Sequence, residues 1–384
     1  MIRVLQFRKI VTTMVAVALI CESAESAGSA VQWLTGREFQ QRLTLPATVL
    51  WADSPFRDYL VDFGRVQRVA ILVDRRVDPD RPLTLAVRDE PVVAIVRAAA
   101  ESQDLQAAVL PNVLFVGPAA SASRIRTVAE LRRQDVEALG KDAIRKFVVQ
   151  APMVWEDLDS PRNLLGRLAD ENGLEIVNLQ QVPHDLWPGG QLPPLSIIER
   201  LTLILHQFDL TFQVAEDCRR VAVVPLPRDV AVVRDYAGGS KPEVLVEKWR
   251  TACPDCEFRV AGGRVYVRGL MEDHETIVAM QTGGVRPSTR SRERGDSAPP
   301  LERVFTADVP NRPLGAVLSH FCKQLGLELQ IDRTSLQAAG VSLDQLISLR
   351  VENATFEELF QAALGPTGCS FERKGDVLRV WAKQ

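Results

Sequence analysis

The chain predicts an α+β protein built from tandem small modules of the order β-α-β-β-α-β(β), with helices packed on short mixed sheets. Three observations carry this expectation. An aromatic and an acidic residue stand just ahead of a proline and an apolar helix in "VLWADSPFRDYL" (residues 49–60), again in "MVWEDLDSPRNLL" from Met153, and more faintly in "VFTADVPNRPLGAVL" from Val304. After each copy, β-branched runs alternate with amphipathic helical spacing in one order. The spacing also repeats: Ser160 to Ser196 is 36 residues, and Ser54 to Glu90 is again 36.

The 384 residues, 46% hydrophobic and 25% charged, describe a folded chain of about two to four domains rather than a disordered one. With 46 basic against 49 acidic side chains, the net charge of -3 creates no global field directed at nucleic acid or an anionic membrane. Residues 1–30 differ from the rest. Arg3, Arg8 and Lys9 precede an apolar run over residues 10–20, and small residues follow in "CESAESAGSA", the order of a secretory signal peptide. That run is shorter than the roughly 20 residues a spanning helix needs. Cys21 resembles a lipoprotein cleavage site, although Ile20 stands where such sites take a small residue. Export leaves Cys218, Cys253, Cys256, Cys322 and Cys369 in an oxidising compartment, an odd set in which one thiol lacks an intrachain partner.

Residues 31–118 form the first expected module. Ser54 is the expected N-cap and Pro55 the first helical residue of "SPFRDYLVDF", with Phe56, Leu60 and Phe63 on one face. "RVAILVDRRV" and "LTLAVRD" read as strands, "PVVAIVRAAAESQ" as a helix and "NVLFVGP" as a strand. Residues 119–148 are an amphipathic helical spacer. Residues 149–228 repeat the module, with "SPRNLLGRLADENG" and "SIIERLTLILHQF" as helices and a capping box between Ser196 and Glu199. Residues 229–282 form a smaller β-α-β-β-α unit, and residues 283–300 a flexible Pro/Gly/Ser-rich linker. Residues 301–384 are the last module. In it Leu314, Val317, Leu318, Phe321 and Leu325 share a helical face, "LELQIDRTSL" reads as a strand, and Thr355 with Glu358 forms a second capping box. A hairpin turns at Lys374 and Gly375.

In that last module, "PLGAVLSHFCKQLGLELQID" followed by "ISLRVENATFEELFQAALGPTGCSFERKGDVLRV" resembles the short N-terminal domain shared by secretins and TonB-dependent transducers. The likeness lies in the apolar helix, the Gly-Leu entry into a strand, the "V-x-N-x-T-x-E-E" opening of the second helix and the closing hairpin. It covers about 80 residues. The two upstream copies share the order with a poorer motif, and residues 229–282 resemble the small domains stacked in secretin periplasmic regions. The resemblance implies α+β sandwiches that contact envelope proteins and carry no active site. The sequence departs from both families in ending at Gln384, without a secretin core or a receptor barrel, so the expectation is that it forms no pore by itself.

The chemical motifs are few. Cys253-Pro-Asp-Cys256 ends a helix and precedes a strand, the reverse of a redox pair at a helix N-terminus. Zinc would need about two more ligands, and there is no second CxxC. A local disulfide, free thiols and a redox or metal role stay open for it. Cys322 and Cys369 are further disulfide candidates, with burial as two apolar thiols the alternative. His274-Glu275 begins a zinc-protease motif that fails at Val278; His184, His206 and His320 read as surface or structural residues. No nucleophile elbow, phosphate loop or dinucleotide fingerprint occurs. Asp53, Asp157 and Asp308 are expected to complement helix dipoles, and Trp51 and Trp155 to fill cores.

No catalytic, cofactor or metal residues are therefore assigned. The expected function is a non-catalytic, exported adaptor or scaffold, periplasmic or outer-membrane associated, in a secretion, uptake or signalling assembly. Its partners would be envelope proteins, a secretin or TonB-linked system among them, with self-association open and neither nucleic acid nor a small-molecule substrate expected. The last module is the expected docking unit. A glycan- or peptidoglycan-binding module using Trp187 in "PHDLWPGGQLPP" is the alternative, and an enzyme with an unrecognised site the third.

Overall fold

The computed structural model describes residues 31–282 and 305–383; the expected signal segment and the linker lie outside them. The first copy runs α1 (Gly36–Thr44), β1 (Pro46–Pro55), α2 (Phe56–Gln67), β2 (Ala70–Val73), β3 (Pro82–Pro91), α3 (Val92–Glu101), β4 (Leu105–Val109) and β5 (Val113–Pro118). Two helices follow, α4 (Ala119–Ala138) and α5 (Lys141–Phe147). The second copy is β6 (Gln150–Trp155), α6 (Pro161–Asn172), β7 (Glu175–Val177), β8 (Gly190–Ser196), α7 (Ile197–Leu205), β9 (Leu210–Val214) and β10 (Arg220–Pro225). The smaller unit is β11 (Val232–Ala237), α8 (Pro242–Ala252), β12 (Glu257–Ala261), β13 (Arg264–Gly269) and α9 (Met271–Gln281). The last copy is β14 (Phe305–Pro313), α10 (Leu314–Leu325), β15 (Glu328–Ile331), α11 (Arg333–Ala338), β16 (Leu346–Ala354), α12 (Phe356–Leu364), β17 (Cys369–Lys374) and β18 (Val377–Ala382). The fold is α+β, as expected.

Each full copy uses its strands in the same way. The first pairs antiparallel with the third, giving β1–β3, β6–β8 and β14–β16. The remaining three make the sheets β2-β5-β4, β7-β10-β9 and β15-β18-β17, in which a hairpin takes the second strand in parallel. Both helices bury their apolar faces against these sheets: Phe56, Leu60, Phe63, Ile95 and Val96 in the first copy, Leu359, Phe360 and Ala363 in the last. Trp51 and Trp155 are core residues.

The helix starts follow local chemistry in the second and last copies. Ser160 Oγ accepts the Asn163 amide at 3.2 Å with Pro161 at the first helical position, and the capping boxes Ser196/Glu199 and Thr355/Glu358 both close. The first copy differs. Strand pairing continues through Ser54↔Leu83 and Pro55↔Pro82, so both expected cap residues remain extended and α2 begins at Phe56. In the last copy the strand read over "LELQIDRTSL" stops at Ile331, where Asp332 Oδ1 accepts the Ser335 amide at 3.1 Å and starts α11.

Two tertiary features shape the molecule. The helical stretch over residues 119–148 breaks at Gly140, whose φ of 104° favours glycine, and it packs rather than spaces. Ala122, Ile125 and Val136 of α4 join Ala70 and Phe115 of the first copy and Leu165, Leu201 and Phe212 of the second in one core. The other feature is a parallel pairing of β1 with β14, from Thr48↔Phe305 to Trp51↔Asp308, which fuses two copies into the sheet β16-β14-β1-β3. Leu50 thereby belongs to the core of the last module. Ion pairs Arg312–Asp53 and Arg350–Asp62 stitch the seam. No helix among the described residues is long and apolar enough to cross a membrane.

Candidate functional site

The three equivalent first strands sit in different surroundings. β1 is flanked by β3 and β14, and β14 by β1 and β16. Among the described residues, β6 pairs with β8 alone. Its outer edge offers backbone donors and acceptors that an extended segment can take. Pro152 removes one donor at the point where the β6–β8 register shifts between Ala151 and Met153; β1 shifts at the same place, between Ala47 and Val49.

Side chains reinforce the contrast. Leu50 and Val154 occupy the same position, each one residue before the core tryptophan. Leu50 is 3% exposed against the last module, whereas Val154 is 59% exposed. Val148 and Val149, just ahead of β6, are also exposed. Beneath the edge, a small groove of about 40 Å³ is lined by Met153, Val154, Arg167, Glu171 and Arg200. Arg200 is buried. Its Nη1 lies 3.7 Å from Glu171, its Nε has no hydrogen-bond partner, and burial lowers its pKa.

A larger groove, of about 790 Å³, opens where α3, α4 and α9 face one another near the start of β6. Its charges mostly cancel. Arg126 pairs with Glu272 at 3.3 Å and with Glu275, and Glu130 takes Arg133 at 2.8 Å and Arg234 at 3.3 Å. Glu272, pushed above its ordinary value by burial, keeps one buried oxygen without a hydrogen bond. Among the described residues, no histidine or cysteine lines this groove.

The residues singled out in the sequence fall as follows. Cys322 and Cys369 lie buried in the core of the last module as thiols with no disulfide between them, and burial pushes Cys322 up to about 11. Cys253 follows α8 and Cys256 precedes β12, as read; both are buried, and no disulfide joins them. Their sulfurs meet a third donor that the sequence did not reveal, Asp273 of α9. Burial, then the Asp273 charge, pushes the Cys256 thiol up to about 12. His206 and His274 are buried, with pKa values lowered by desolvation; the His274 nitrogens engage the Tyr236 hydroxyl and the Val232 carbonyl at 2.8 and 3.0 Å. His184 is exposed. The dipole reading of the aspartates needs correction. Asp308 is a mid-strand residue of β14, held there by pairing with β1 and β16, Asp53 faces Arg312, and Asp157 Oδ1 accepts the Gly189 amide at 2.5 Å. Trp187, the residue considered for stacking on a sugar, is packed. It stacks on Phe208 at 6.4 Å, meets Trp155 edge-on and donates from Nε1 to Asp185 Oδ2 at 3.0 Å.

The last module, expected to dock, has the β14 edge already taken by β1. In comparisons with known proteins, no family model matches the chain and no curated protein matches it.

Proposed function

We propose that the protein is a non-catalytic adaptor of the cell envelope, exported by its N-terminal segment, that holds an extended strand or a sister module of an envelope protein along β6. The observation that carries this reading is Val154, exposed at the position where Leu50 is buried by strand pairing. The β1–β14 pairing supplies a precedent inside the chain, since one first strand accepts another there in parallel. The "V-x-N-x-T-x-E-E" likeness to secretins and TonB-dependent transducers supports an envelope assembly as the setting.

The test is site-specific photo-crosslinking in the intact native envelope from position 154, with position 278 of α9, another exposed valine, as the reference. One dominant envelope protein captured at 154 and absent at 278 is the expected result. Equal capture at both positions, or cell-wall material in place of protein, would refute docking at β6.

A further inference from the structure

We propose that Cys253, Cys256 and Asp273 form a binding site for a single thiophilic divalent cation of the Zn²⁺ class. The two sulfurs and a carboxylate oxygen all lie within 4.8 Å of one another. They come from three elements: the end of α8, the entry to β12 and the first turn of α9. The Cys253–Cys256 turn is closed by the Cys256 amide donating to the Cys253 carbonyl at 3.2 Å, which presents both thiols as one chelating bite.

The surroundings are shaped around the donors. Asp273 is held by the Leu270 amide, which donates to Oδ2 at 2.9 Å. Opposite it, Gly269 keeps space for sulfur: a Cβ there would overlap Cys256 Sγ and come within 3.1 Å of Asp273 Oδ2. Trp249, Val265, Val267 and Ile277 pack with the two thiols in the apolar core of this unit. His274, the neighbour with metal-binding chemistry, has both ring nitrogens engaged elsewhere, so it does not complete the set.

Two thiolates and a carboxylate are a borderline-soft donor set that suits Zn²⁺ and disfavours Ca²⁺ or Mg²⁺, and three protein donors leave one position for water. A cation would neutralise the negative charge that three ionised donors concentrate in an apolar core. Binding releases the thiol protons, and the cation then ties α8, β12 and α9 together in a unit whose own core is small.

The test uses the full exported chain, reduced and stripped of metal, and titrated with Co²⁺ and then Zn²⁺. The expected result is a thiolate-to-cobalt charge-transfer band that saturates at one Co²⁺ per chain and is displaced by Zn²⁺. Cys253→Ser and Cys256→Ser lose the band, and Asp273→Asn weakens it. Cys322→Ser/Cys369→Ser, which changes the other buried pair, retains it. Circular dichroism of each variant separates lost ligands from lost structure, and Cys218→Ser gives a folded reference. Any of three outcomes would overturn the proposal: no band in the reduced chain, a band that survives loss of both Cys253 and Cys256, or unaltered affinity in Asp273→Asn.

Discussion

Replacing Arg76 by alanine tests how the first and second copies are held together. Asp74, at the end of β2, is fully buried, and Arg76 is its counter-ion, with Nε 2.9 Å from Oδ1 and Nη2 2.7 Å from Oδ2. The same guanidinium donates to Ser121 Oγ of α4 at 2.7 Å and to Asp209 at 3.0 Å, so one side chain bonds to all three parts of the junction. In Arg76→Ala the Asp74 carboxylate keeps the backbone amide of residue 76 and loses its charge partner. Stranding a buried charge costs about 3–5 kcal/mol, whereas the arm to Asp209, an exposed residue, contributes under about 1 kcal/mol. Urea unfolding at neutral pH measures the sum. The Asp74→Ala/Arg76→Ala chain should be more stable than Arg76→Ala, because removing the stranded carboxylate removes the penalty. Arg145→Ala, which breaks the exposed pair with Asp142, should change nothing measurable. A loss below about 1 kcal/mol in Arg76→Ala, or strict additivity in the double variant, would refute the argument.

Two further outcomes follow from the packing. His206 is buried, with Nε2 2.9 Å from the Ser121 carbonyl and its pKa lowered by desolvation, so the unfolded chain takes up the proton first as pH falls below about 6.5. Stability should therefore decline from there towards the folded-state pKa and level off beneath it; His206→Gln should flatten part of that slope, and an unchanged slope would contradict the assignment. Gly190→Ala would place a Cβ 2.7 Å from Trp155 Cε2 and should destabilise the second copy by about 1–3 kcal/mol in thermal unfolding, with Gly166→Ala, which meets open space, as the comparison.

The sequence by itself determined what is local. The helix caps at Ser160, Ser196 and Thr355 were legible because a cap is satisfied within one turn, between residues three apart. The order of strands and helices was legible because period and β-branching report which face each residue buries. Tertiary structure decided the rest. Ser54 reads as a cap, yet pairing with β3 keeps it in a strand. Residues 119–148 read as a spacer because amphipathicity records that a face is covered and not what covers it; the first and second copies both pack on that face. Asp273 could not be linked to Cys253 and Cys256, since the contact closes across a hairpin that leaves no periodic trace. Nor could the sequence tell β6 from β1. The two strands share the pattern of a core tryptophan behind an apolar residue, and only the presence of β14 beside one of them makes Leu50 a core residue and leaves Val154 in solvent.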